Sequence, residues 1–223
     1  MSVRLISREE AFERSPVLAN AVIGWQQAEY NDVKNDLDAE DLEWFKERLD
    51  NVSSANPEIE YCGEILLAPQ ENTLESLLSA FQTLNDRLQV KEVIFIPVFK
   101  DSWLRQSHSY SPVKKALEYI ERVVVDKDYF EGIVADSTDL KEMLTSIFWI
   151  SRCCASMCDI YCSLSGTRIT FSICKYGVLH FTLYNEKEKD NFKLCLLGSG
   201  LKQTEKCSDI YSETAITGRQ IIV

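Results

Sequence analysis

The chain has 223 residues, 45% of them hydrophobic and 26% charged, which is enough for a full core and excludes a disordered chain. Its 24 basic and 35 acidic side chains leave a net charge of −11, which disfavours nucleic acid and anionic lipid as partners and reads either as simple solubility or as complementarity to a basic protein. The opening Met1-Ser2-Val3-Arg4 leads into charged residues, and no run nears the ~18 apolar residues of a bilayer span, so no membrane association and a cytoplasmic location are expected.

Ser7-Arg8-Glu9-Glu10 is a capping box, and Ser15-Pro16 places a cap before a first-turn proline, predicting helices over 8–14 and 16–30. Val17, Leu18, Ala21, Val22 and Trp25 form the expected buried stripe of the second. Between Glu29 and Asp50 nine carboxylates face three cations, contributing −6 of the net charge. Within this stretch Asp38 is placed to cap a helix whose Leu42, Phe45, Leu49 and Val52 point inward, with Trp44 off the stripe beside Asp41, Glu43 and Glu47. An aromatic ringed by carboxylates suits contact with a basic partner, although a tryptophan covered by another helix is the commoner arrangement.

The run Ser53-Ser54-Ala55-Asn56-Pro57 divides an acidic helical segment, residues 1–56, from a mixed α/β domain, residues 57–223, the two expected to form one compact unit. Strands are predicted over 59–68 and 90–99 with a helix over 71–89 between them, a βαβ portion of a central mixed sheet, and Val93-Ile94-Phe95-Ile96 has the two-sided apolarity of a central strand. The loop 101–110 carries Trp103, Arg105, His108 and Tyr110 at that strand's C-terminal end. Ser111-Pro112 then opens a helix, and a short strand follows over 132–135.

The most consistent stretch is 136–184. Its helix places Leu140, Met143, Leu144 and Ile147 on one face, and three antiparallel strands follow over 158–164, 167–174 and 178–184. A two-residue loop at Ser165-Gly166 would set Cys162 opposite Ile169. A three-residue loop ending at Gly177 sets Ile169, Phe171 and Ile173 opposite Leu183, Phe181 and Leu179. The other face is then polar, with rows Asp159–Ser172–His180, Tyr161–Thr170–Thr182 and Ser163–Arg168–Tyr184. A further strand is predicted over 192–197 and another over 220–223.

No catalytic or cofactor motif is persuasive. Cys158 and Cys162, four residues apart on one strand, stand ~13 Å apart, too far for one metal ion, so Cys153, Cys154, Cys158 and Cys162 read as buried thiols. Asp159, Ser172 and His180 have the residue types of a hydrolase triad, yet the serine occupies the middle strand where the histidine would be needed. The expectation is therefore an acidic protein-binding module, such as an inhibitor or immunity-type protein that neutralises a basic toxin or nuclease. Its contact residues would be Asp41, Glu43, Trp44 and Glu47, the loop residues Trp103, Arg105, His108 and Tyr110, and the sheet-face residues Asp159, Tyr161, Arg168, His180 and Tyr184. The alternative is a small-molecule enzyme or sensor with its site between Asp101 and His108.

Overall fold

Eight strands join in one sheet: β1 (Arg4–Ile6), β2 (Gly63–Pro69), β3 (Glu92–Pro97), β4 (Gly132–Asp136), β5 (Ile160–Leu164), β6 (Ile169–Ile173), β7 (Leu179–Leu183) and β8 (Leu201–Gln203). Their order across the sheet is β1-β4-β3-β5-β6-β7-β2-β8, in a computed structural model that describes residues 3–71, 73–104, 107–154 and 159–208. Seven α-helices among these residues complete a mixed α+β architecture: α1 (Arg8–Arg14), α2 (Pro16–Val33), α3 (Ala39–Glu47), α4 (Leu74–Arg87), α5 (Ser111–Val123), α6 (Leu140–Cys153) and α7 (Glu186–Leu196). No described helix is long and apolar enough to cross a membrane.

Every neighbouring strand pair is antiparallel, so the βα alternation does not yield adjacent parallel strands. Helix α4 connects β2 to β3, which point the same way, but the meander β5–β7 lies between them. The second hairpin has the expected register, Ile169, Phe171 and Ile173 pairing Leu183, Phe181 and Leu179, with Gly177 at φ 73° in its turn. The first hairpin is shifted by two residues: Cys162 pairs Phe171, and the connection runs over 165–168. A shift of two keeps every side chain on its face, so the apolar set stays together. It breaks the expected polar rows, however. Tyr161 lies beside Ser172 and His180, Ser163 lies beside Thr170 and Thr182, and Asp159 falls outside them.

The apolar face meets α4, α5 and α6 in the main core, where Phe81, Phe171, Phe181 and Phe192 touch in series with ring centroids 5.0–5.3 Å apart. Phe192 corrects the expectation of a strand over 192–197. Asn185 accepts from the amides of Lys187 and Glu188 and starts α7, which buries Phe192 and leaves Leu194 exposed, a helical rather than alternating pattern. The expected strand over 220–223 lies outside the described residues. The strand expected over 59–68 begins only at Gly63, while β1 and β8, three residues each, carry too little pattern to be foreseen.

On the opposite face, α1 and α2 cover Ile94, Ile96 and Val134 with Phe12, Leu18, Val22 and Ile23. The described part of the segment 1–56 is thus woven into the sheet, since β1 pairs with β4 at its edge. A buried polar knot ties this layer down. The Arg8 guanidinium, 5% exposed, donates to Asp50 (Nε to Oδ1, 2.9 Å) and to the carbonyls of Pro97 and Val98 at 2.8 and 3.2 Å. Gln26 donates to Asp50 at 3.0 Å and accepts the Asp50 amide at 2.9 Å.

Removing one member of a buried pair leaves the other charge without compensation. Replacing Arg8 by Met should lower the unfolding free energy by about 3–5 kcal/mol in urea melts. Replacing Arg4, whose pair with Glu92 is solvent-exposed, should cost at most about 1 kcal/mol.

Candidate functional site

The two sheet faces are covered unequally. Helix α2 lies over β3, β4, β5 and part of β6, and its Val17 and Ala21 pack on Tyr184 just past β7, but towards β2 its cover ends and a groove of about 450 Å³ opens. Trp25 of α2, Ile59 and Tyr61 of the connection into β2, and Tyr161, Tyr184 and Glu64 from the sheet line it. Trp25 lies 6.5 Å from Tyr161, and Tyr61 meets Tyr184 edge-on at 6.4 Å. Tyr61 is 61% exposed and Trp25 40% exposed, so these rings can be reached from solvent.

The exposure of Trp25 corrects its expected place in the buried stripe. That stripe is centred on Leu18, Val22 and Gln26, all at 0% exposure, and one residue of helix turns a side chain by ~100°. Trp25 therefore stands on the flank, over the groove. Glu58 and Glu60 are exposed beside Ile59 and Tyr61, and Glu64 is exposed on β2, so the rim is acidic.

The sequence-predicted contact residues divide into separate places. Tyr161 and Tyr184 line the groove. His180 sits beside it on β7, its Nδ1 3.1 Å from Glu64 Oε1. Asp159 is half-buried and its carbonyl accepts from the Val98 amide, while Arg168 is exposed in the turn before β6. Asp41, Glu43 and Glu47 are exposed along α3, which buries none of its residues. Trp44 is 49% exposed and carries the Arg48 guanidinium 4.3 Å above its ring. The stripe expected on α3 is only half-buried, with Phe45 against Tyr30 and Phe99, and Val52 is exposed beyond the helix end.

The described residues of the loop 101–110 are largely drawn into the protein. Trp103 is fully buried and donates its indole N–H to the Glu131 carbonyl at 2.9 Å, so it is a core residue unavailable to a partner. Asp101 pairs with Arg48, and Tyr110 packs against Trp149 with centroids 5.8 Å apart. His108 is 8% exposed and accepts the Tyr110 amide at Nδ1, while its Nε2 has no partner among the described residues. Leu104, Ser107, His108 and Lys114 border a pocket of about 380 Å³ there. Arg105 lies outside the described residues.

One group of residues was not foreseen as a group. Cys174, His180 and Cys207 converge on the same sheet face as the groove. Burial alone would raise the Cys174 thiol, but hydrogen bonds from His180 and from the Tyr176 and Val178 amides outweigh it and lower its pKa. His180 is raised in turn, chiefly by its bond to Cys174. The register of the second hairpin, legible in the sequence, already places Cys174 and His180 diagonally on one face; the arrival of Cys207 depends on the chain beyond β8. By contrast Cys153, Cys154 and Cys162 are buried thiols as expected, and Cys158 lies outside the described residues.

Four tyrosines are held protonated. Burial, then nearby carboxylates, pushes Tyr119 and Tyr129 up to about 12, and burial does the same for Tyr184. Tyr161 is also raised, first by burial and then by Tyr184. Each folded value exceeds the ordinary value of 10, so the unfolded chain releases these protons first. The stability they contribute is complete below about pH 10 and is lost as pH climbs towards the folded values. Denaturant melts should show stability falling above about pH 10, and phenolate absorbance of the folded protein should show a delayed group of tyrosines. No protein-family model, curated protein or solved structure matches the chain.

Proposed function

We propose that this protein is a binding module for a basic protein, acting in the cytoplasm as an inhibitor or immunity-type protein that neutralises a toxin or nuclease. The observation that carries the reading is the open groove, where the exposed rings of Trp25 and Tyr61, backed by the more buried Tyr161 and Tyr184, and the Glu64 carboxylate offer a cationic side chain an aromatic surface and a counter-charge. A lysine or arginine of the partner is the occupant that fits. The net charge of −11 supplies the long-range attraction, and the acidic exposed side of α3 supplies a second contact through Asp41, Glu43, Glu47 and the Trp44–Arg48 pair.

The test is capture of partners by the tagged protein at low and moderate salt, followed by affinity measurement with the purified basic partner. Tyr61→Ala, at an exposed ring, should weaken binding by about 2–30-fold, the range of a cation–π contact of ~0.5–2 kcal/mol. Reversing Asp41 and Glu43 to lysine should slow association and flatten its salt dependence. A basic partner bound equally well by both variants would sink the reading.

A second reading rests on His108, whose Nε2 faces no described partner beside the 380 Å³ pocket. A small molecule bound there would raise the melting temperature in a metabolite screen, and His108→Ala would abolish the shift.

A further inference from the structure

The geometry points to a zinc site built from Cys174, His180 and Cys207, with Glu64 as the carboxylate that orients the histidine. The two sulfurs and the imidazole nitrogen all lie within 4.8 Å of one another, and Cys207 Sγ is 3.1 Å from His180 Nε2. Tetrahedral zinc, with Zn–S of ~2.3 Å and Zn–N of ~2.0–2.1 Å, holds such atoms ~3.5–3.8 Å apart, so the three stand within about an ångström of a ligand triangle. Two thiolates and an imidazole are a donor set that zinc favours over calcium or magnesium.

The second observation concerns the other side of the ring. Glu64 Oε1 lies 3.1 Å from His180 Nδ1, so the carboxylate accepts an Nδ1 proton and leaves the Nε2 lone pair facing the sulfurs. This carboxylate–histidine arrangement accompanies metal-ligating histidines and sets both tautomer and ring angle. A disulfide between the two cysteines would have no use for it.

The ligands also come from the right elements. Cys174 directly follows β6, with its amide donating to the Val178 carbonyl, and His180 lies on β7 opposite Ser172, so the two are diagonal neighbours across a tight hairpin. Cys207 arrives from the other edge. The Thr204 amide extends the pairing past β8 by donating to the Leu66 carbonyl at 3.0 Å, and the Thr204 hydroxyl then bonds the Lys206 carbonyl at 3.0 Å as the chain turns back. Zinc would therefore staple residues 204–207 across β2 to β7. Three protein ligands leave a fourth position for water or for a group brought by a bound molecule.

The experiment is titration of the reduced, metal-stripped full chain with Co(II) and then Zn(II), alongside metal analysis of the protein as isolated. Expected are one metal per chain, thiolate-to-cobalt charge-transfer and tetrahedral ligand-field bands, and bleaching of both by zinc. Cys174→Ser and Cys207→Ser should each remove the bands, Cys62→Ser should leave them unchanged, and Glu64→Gln should weaken affinity by about 10–100-fold. Hydrogen exchange in β8 should quicken on chelation. Absence of cobalt bands in the reduced wild-type chain would overturn the proposal, as would bands that persist in the Cys174→Ser/Cys207→Ser double variant. These readouts need no partner, so they stand or fall separately from the binding function.

Discussion

The Arg8 guanidinium, sealed between two helices and the end of the central strand, is the contact on which one whole layer of the protein depends. Its donors are shared among Asp50 and the carbonyls of Pro97 and Val98, groups that follow α3 and end β3. Gln26 closes the knot from α2. A buried ion pair is costly to desolvate and gains little net stability over an apolar packing. What it does supply is position, because each partner accepts only the geometry that satisfies the others. Gln26 is the neighbour of Trp25, so the knot that locks α2 in rotation also sets the tryptophan over the groove.

That groove follows from an imbalance in cover. Four helices, α4 to α7, crowd one face of the sheet, while α1 and α2 must serve the other. They reach from the β1 edge as far as β6 and Tyr184 and stop short of β2. The uncovered part keeps the polar alternation of an antiparallel sheet, but aromatic residues from α2, the β2 approach and β5 close its sides. Ser15 and Ser163, bonded through their hydroxyls at 2.6 Å, mark where the cover is still tight. Past them the face passes from buried hydroxyls to exposed rings and carboxylates, and the same face carries the cysteine–histidine cluster.

How much of this was legible depended on the range of the determining interaction. Local signals were sufficient where one residue type dictates a backbone state: Pro16 and Pro112 open their helices, Asp38 caps α3, and Gly177 sets the second hairpin and its register. They failed where two outcomes place the same side chains on the same face, as with the two-residue shift between β5 and β6. Helix α7 replaces the expected strand over 192–197 because Phe192, Cys195 and Leu196 pack on the core at helical spacing, a period that the exposed Leu194 and Leu197 mask in the sequence. Trp103 shows a different limit. A tryptophan in a loop resembles a contact residue until its indole finds the Glu131 carbonyl inside the core. The groove and the metal-ligand cluster both required knowing that residues near 60 and near 207 come to β7, which no local pattern states.

The place of β2 also has a consequence for how the protein is made. Its partners lie far downstream: Gly63 pairs with Leu183, and Leu67 with both Leu179 and Gln203. On a ribosome the strand must therefore emerge and wait while β3, β4 and the meander are still being synthesised, its backbone donors and acceptors unpaired. Such a waiting edge is a template for pairing with a neighbouring nascent chain. Glu64, the second residue of the strand, places a charge where a copy stacked in register would meet the same charge. The carboxylate that borders the groove and lies 3.1 Å from His180 Nδ1 in the finished protein is thus, before β7 arrives, a charge that disfavours such pairing.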